Sequence, residues 1–158
     1  MTILSRGAEA IVRLAHNLSA LLLALAVVLV FVQVITRFIL GDAAVWSEVL
    51  ARGLVIWSTF LAAAAGFRLG AMIPIDFLRS LLTARWQVWV IRLVTVLTLI
   101  FLGVLLWYGV AMAQRVQMQR VAMLNVPMSV FYYALPVGAA MAVPGVLLRH
   151  FGTEGPET

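Results

Sequence analysis

Four stretches of the chain are apolar almost without interruption, and the polar residues gather between them. A helix rises 1.5 Å per residue, so about 20 apolar residues are needed to cross roughly 30 Å of hydrocarbon. The pattern predicts four such spans, at about residues 14–36, 46–67, 87–112 and 127–148. Arg6 and Arg13 ahead of the first run give it the look of a secretory signal. Its apolar stretch, however, continues from Leu18 to Ile35 with only Ser19 and Gln33 interrupting, and no small-x-small cleavage site follows. It is expected to stay as a spanning anchor. The expected fold is an all-α integral membrane protein, one domain over residues 1–158.

The connections carry patterns of their own. From Pro74, a residue suited to a first helical position, Ile75, Phe77, Leu78, Leu81, Leu82 and Trp86 fall on one half of a helical wheel, with Asp76, Arg79, Ser80 and Thr83 opposite. This predicts an interfacial helix over residues 74–84 with Asp76 in its first turn, where a negative charge complements the helix dipole. After the third span, Gln114, Arg115, Gln117, Gln119 and Arg120 alternate with Val116, Met118 and Val121, as expected of a helix extending out of the membrane until Asn125 and Pro127 break it.

Composition narrows the function classes. The chain is 65% hydrophobic and 11% charged, with a mean hydropathy of +1.10, where soluble domains run near a quarter charged. A net charge of +5 would raise nucleic acid in a soluble protein, but the arginines are scattered beside apolar segments as membrane-end anchors, and no nucleic-acid role is expected. Arg6, Arg13, Arg68, Arg79, Arg85 and Arg149 lie on one side of the predicted spans, against Arg37, Arg115 and Arg120 on the other. Positive flanks are retained in the cytoplasm, so both termini are expected there. The absence of cysteine removes disulfides, thiolate metal sites and thiol nucleophiles.

Few residues could carry chemistry within the spans. Glu48 and Arg52 stand four apart in the second span, acid first, the order that favours an ion pair on one helix face. They lie near the start of that span, beside Trp46 and close to Arg37 at the end of the first. An ion pathway needs polar groups near the midplane, so the pair is expected to fasten helices or a partner subunit. Arg92 beside Trp86 and Trp89 reads as a snorkelling anchor, and Trp107, Tyr108, Tyr132 and Tyr133 as interfacial aromatics. His16 and His150 lack the facing geometry of a haem pair, and the acids form no catalytic dyad, so no cofactor and no enzyme activity are expected. Small residues one turn apart let membrane helices approach closely. Ser58, Ala62 and Gly66 form such a ridge in the second span and Ala134, Gly138 and Ala142 another in the fourth, where Pro136 and Pro144 are expected to bend the helix.

Two stretches resemble a known family. One is Trp46-Ser47-Glu48 with Ala51-Arg52, Trp57, Arg68, Gly70, Ile73, Ile75-Asp76 and Leu78; the other is Pro127, Tyr132-Tyr133 and Leu135-Pro136-Val137-Gly138. In this order, within four spans, they are similar to the DctQ-type small membrane subunit of tripartite ATP-independent periplasmic (TRAP) transporters. The chain departs from the family pattern in having only Glu48 where two acids often follow the tryptophan, alanines at Ala62 to Ala65 where a glycine is common, and no histidine near Met72. The resemblance implies a bacterial inner-membrane uptake system for organic acids such as dicarboxylates, keto acids or sialic acids. Its partners would be a large, sodium-driven membrane subunit and a periplasmic substrate-binding protein, and the small subunit would be a static brace in the lipid bilayer. Sodium would bind the large subunit. Two other readings compete: a self-assembling small transporter or channel lined by Gln33, Ser58, Thr59, Thr95 and Thr98, and a structural anchor subunit of another membrane complex.

Overall fold

The computed structural model of the chain describes residues 3–41, 45–69, 84–121 and 124–153. Helix α1 spans Ile3–Ile35 and runs on through a π-helical turn, Thr36–Leu40, to Gly41, whose φ of 70° is the left-handed conformation that ends helices and that glycine adopts without strain. Helices α2 (Val45–Leu69) and α3 (Ala84–Arg115) follow, and a short α4 (Ser129–Tyr132) leads into α5 (Ala134–Thr153). Among the described residues, four segments are long and apolar enough to cross a membrane: Arg6–Ile39, Val45–Phe67, Trp86–Arg115 and Ser129–His150. The chain is an all-α, multi-pass membrane protein, as its hydrophobic pattern predicts.

Two elements differ from the pattern's prediction. Helix α1 begins at Ile3, well before Leu14, because the apolar run measures the hydrocarbon and not the helix. Glu9 and Arg13 form an i, i+4 ion pair at 3.8 Å in this polar extension, which also continues the buried stripe described below. The helix expected to continue past Arg115 instead ends there. Residues 116–118 turn, and the chain then forms a hairpin in which Met128 N–H donates to the Gln119 carbonyl at 2.8 Å and Val121 N–H to the Val126 carbonyl at 2.9 Å. Val121 and Val126 favour extended backbone, and Asn125, at a φ of 52°, takes the left-handed turn position that asparagine tolerates. The expected interfacial helix over 74–84 lies outside the described residues, apart from Ala84 at the start of α3.

Helix packing follows from a repeat of 3.5 residues. On α1, Ala8, Val12, Ala15, Ser19, Leu22, Ala26, Leu29 and Gln33 alternate by four and three, and all are buried or half-buried. On α2 the same alternation picks out Ser47, Ala51, Leu54, Ser58, Leu61 and Ala65, again buried or half-buried. Helices α1 and α2 make the most extensive contact among the described residues, and small residues along these seams let two membrane helices approach closely.

A second face of α2 meets α5. Gly138 lies so close to Phe60 that an added Cβ would sit 2.7 Å from the Phe60 Cβ and 2.9 Å from its carbonyl oxygen. Around this contact Ala64, Leu102, Ala139, Ala142 and Val146 form the core, flanked by Phe67, Leu99, Leu105, Met141 and Val143. Helix α5 is thus the central element, touching α1, α2 and α3. Its Pro136 falls in the first turn, where the carbonyl it leaves unbonded is that of Tyr132, at the break between α4 and α5; Pro144 sits within the helix. Helix α3 is peripheral. It grips α5 at Gly109, where an added Cβ would meet Pro136 Cδ at 2.9 Å, and exposes most of its apolar length, as a lipid-facing helix does.

Candidate functional site

The polar groups of interest gather at the end of the bundle that carries the hairpin. Arg52 Nη2 donates to Glu48 Oε1 at 2.9 Å, the i, i+4 pairing that the spacing on α2 allows. Gln33 on α1 brings its amide nitrogen to 3.5 Å from the other Glu48 oxygen, so the carboxylate links two helices. The side chains are 51% exposed for Glu48 and 70% for Arg52, which places the pair on the outside of the bundle. Arg37, in the π-helical turn, and Trp46, in the first turn of α2, are exposed at the same end.

The remaining residues singled out in the sequence divide between inside and outside. Ser58 is buried in the α1 seam and spends its hydroxyl on the Val55 carbonyl at 2.9 Å. Ala62 is exposed, and Gly66 has no atom of the described residues within 4 Å of where a Cβ would stand. Ala134, Pro136, Gly138 and Ala142 are all buried, facing the chain's own helices. Trp57 donates its indole N–H to the Val130 carbonyl at 3.0 Å, tying α2 to α4. Arg68 lies in the last turn of α2, while Gly70 and Asp76 fall outside the described residues.

Placed at 100° per residue, Glu48, Arg52, Val55, Thr59, Ala62 and Gly66 fall within about 80° of one another. This third stripe of α2 is exposed from Glu48 to Ala62 and half-buried at Gly66. One line therefore runs from an ion pair near one end of the span to small residues near the other. Thr59 on this line turns its hydroxyl to the Val55 carbonyl at 2.8 Å, so the stripe offers no free polar side chain at its centre.

Sequence reasoning missed several partners. Gln33 reads as an isolated polar residue until α1 and α2 are laid together. Gly53 reads as one small residue among many, yet an added Cβ would collide with the Phe131 ring, so this glycine seats α4 against α2. Arg120 Nη1 donates to Asn125 Oδ1 at 2.7 Å and pins the hairpin, a contact that the breaker signal at Asn125 could have suggested.

Comparison with known proteins agrees with this architecture. The profile of the family described as tripartite ATP-independent periplasmic transporters, DctQ component, matches residues 26–151. The sialic acid TRAP transporter small permease protein SiaQ of Vibrio cholerae is 28% identical over 111 residues, covering 70% of this chain. The chain spans 64% of the length of that curated relative. Both are transporter components and not enzymes.

Proposed function

The chain belongs to the DctQ family of tripartite ATP-independent periplasmic transporters, and from that premise we propose that it is the small membrane subunit of a sodium-driven organic acid uptake system, acting as a scaffold. It sits in the bacterial inner membrane with both termini in the cytoplasm, the side favoured by six arginine flanks against three. Its partners are a large membrane subunit that moves the substrate and a periplasmic binding protein that delivers it. The relative named for sialic acid makes that acid the first substrate to try.

The observation that carries this reading is the outward stripe of α2. A charged pair facing outward at the end of a span is costly against lipid and is well used against a partner that completes its hydrogen bonds. The small residues Ala62 and Gly66 on the same line suit the close approach of a partner helix. No sodium or substrate site is assigned to this chain. The hydroxyls of Ser58, Thr59 and Thr95, which a pore-forming reading would require, are bonded to carbonyls of their own helices at 2.9, 2.8 and 2.9 Å.

Reconstitution in liposomes tests the proposal. With a sodium gradient, this chain alone should move no sialic acid or dicarboxylate, and uptake should begin when the large subunit and the loaded binding protein are added. Gradient-driven uptake by this chain alone would overturn the scaffold reading and restore the channel.

A further inference from the structure

Beside the outward stripe lies a groove of about 510 Å³, walled by α2 at Gly53, Ile56 and Phe60, by Met112 of α3, and floored by Phe131 and Leu135. The hairpin closes its outer end through Val121 and Met128, and Arg52 is the charged residue in its lining. We propose that this groove holds one acyl chain of a phospholipid whose phosphate rests on Arg52. The lipid is proposed for the chain by itself, before the large subunit takes up the same face of Arg52, and is tested on the chain alone.

Three features suit a lipid chain. The first is size: with roughly 30 Å³ for a methylene-sized group, a groove of about 510 Å³ is on the scale of one acyl chain. The second is length. From Val49 to Phe60 the groove follows α2 for roughly 16 Å, close to half of the 30 Å hydrocarbon layer, the depth of one leaflet.

The third is charge. Arg52 stands about 10 Å along α2 from Val45, where the span begins, and its long side chain carries the guanidinium back toward that end to meet Glu48 one turn nearer the edge. One nitrogen is used toward Glu48. Its remaining N–H groups have no protein acceptor among the described residues, and a guanidinium matches phosphate oxygens in a two-point contact. The apolar walls below it contain no other charge, so the headgroup has one place to sit and the chain one direction to run.

Native mass spectrometry of the full chain in mild detergent, titrated separately with phosphatidylethanolamine, phosphatidylglycerol and diacylglycerol, tests both halves of the proposal. The two phospholipids should bind at one per chain, and diacylglycerol, which lacks the phosphate, about tenfold more weakly. Arg52→Gln should bring the phospholipids down to the diacylglycerol level. Ile56→Trp, which fills the groove, should reduce all three. On the unaltered chain, a phospholipid with a photoreactive acyl tail should label Ile56, Met112 and Leu135, a readout that does not depend on a variant folding. Equal affinity for all three lipids would overturn the phosphate assignment. Labelling spread evenly over the outer faces of α1 and α3 would overturn the groove.

Discussion

The small ridges of α2 and α5 look alike in sequence and do opposite things. Ala134, Gly138 and Ala142 are buried inside the chain, where Gly138 lets α5 lie against the Phe60 backbone. Ala62 is exposed, and Gly66 stands open beside it. Small residues one turn apart permit a close approach but do not say which helix approaches. The α5 ridge is consumed by the fold, and the α2 stripe is left for something else.

The largest effect should come from filling the internal ridge. Gly138→Leu drives a side chain into Phe60, and since overpacking alone costs typically 1–3 kcal/mol with larger values where backbone must move, the chain should lose most of its folded population. Size-exclusion profiles in detergent would show this as aggregation. A monodisperse, thermally unchanged Gly138→Leu chain would mean that α2 and α5 do not meet here.

A smaller effect, confined to assembly, is expected at the membrane edge. Glu48→Gln leaves Arg52 incompletely paired, at about 1–3 kcal/mol where a partner desolvates the pair. Recovery of the large subunit with this variant should fall, while the sodium dependence of residual uptake stays as it was. An altered sodium coupling ratio in a normally assembled complex would instead make Glu48 part of the transport path.

The smallest effect should follow from Trp57→Phe, which removes the indole donor to the Val130 carbonyl while keeping an aromatic ring in place. A single hydrogen bond between membrane helices averages about 0.6 kcal/mol and reaches about 1.7 kcal/mol, so a modest drop in thermal stability is expected. Exchange of the α4 amides should quicken alongside it. Unchanged stability and exchange would show that the α4 position is held by the seat of Phe131 against Gly53 alone.

What the sequence could and could not reveal follows the range of the forces involved. Helix number and type were legible because membrane thickness imposes a length that a hydropathy pattern records directly. The Glu48–Arg52 pair was legible because an i, i+4 contact needs no tertiary information. The ridge on α2 divides between two faces: a strict step of four drifts 40° around a helix each time, so Ala62 and Gly66 leave the seam that steps of four and three preserve through Ser58, Leu61 and Ala65. The hairpin after α3 escaped because alternating polar residues suit either an exposed helix end or an extended strand. The Gln33 contact with Glu48 and the seat at Gly53 depend on neighbours distant in sequence, so no local pattern announces them.

The proposal that the outward stripe of α2 holds the large subunit is tested most directly by Gly66→Leu, a substitution that meets open space among the described residues. The variant and the unaltered chain would each be co-expressed with the large subunit, and co-purification measured beside the melting temperature of the small subunit alone. The expected result is an unchanged melting temperature with a clear loss of co-purified large subunit and a parallel fall in uptake. Full co-purification and full uptake by a stably folded Gly66→Leu chain would contradict it.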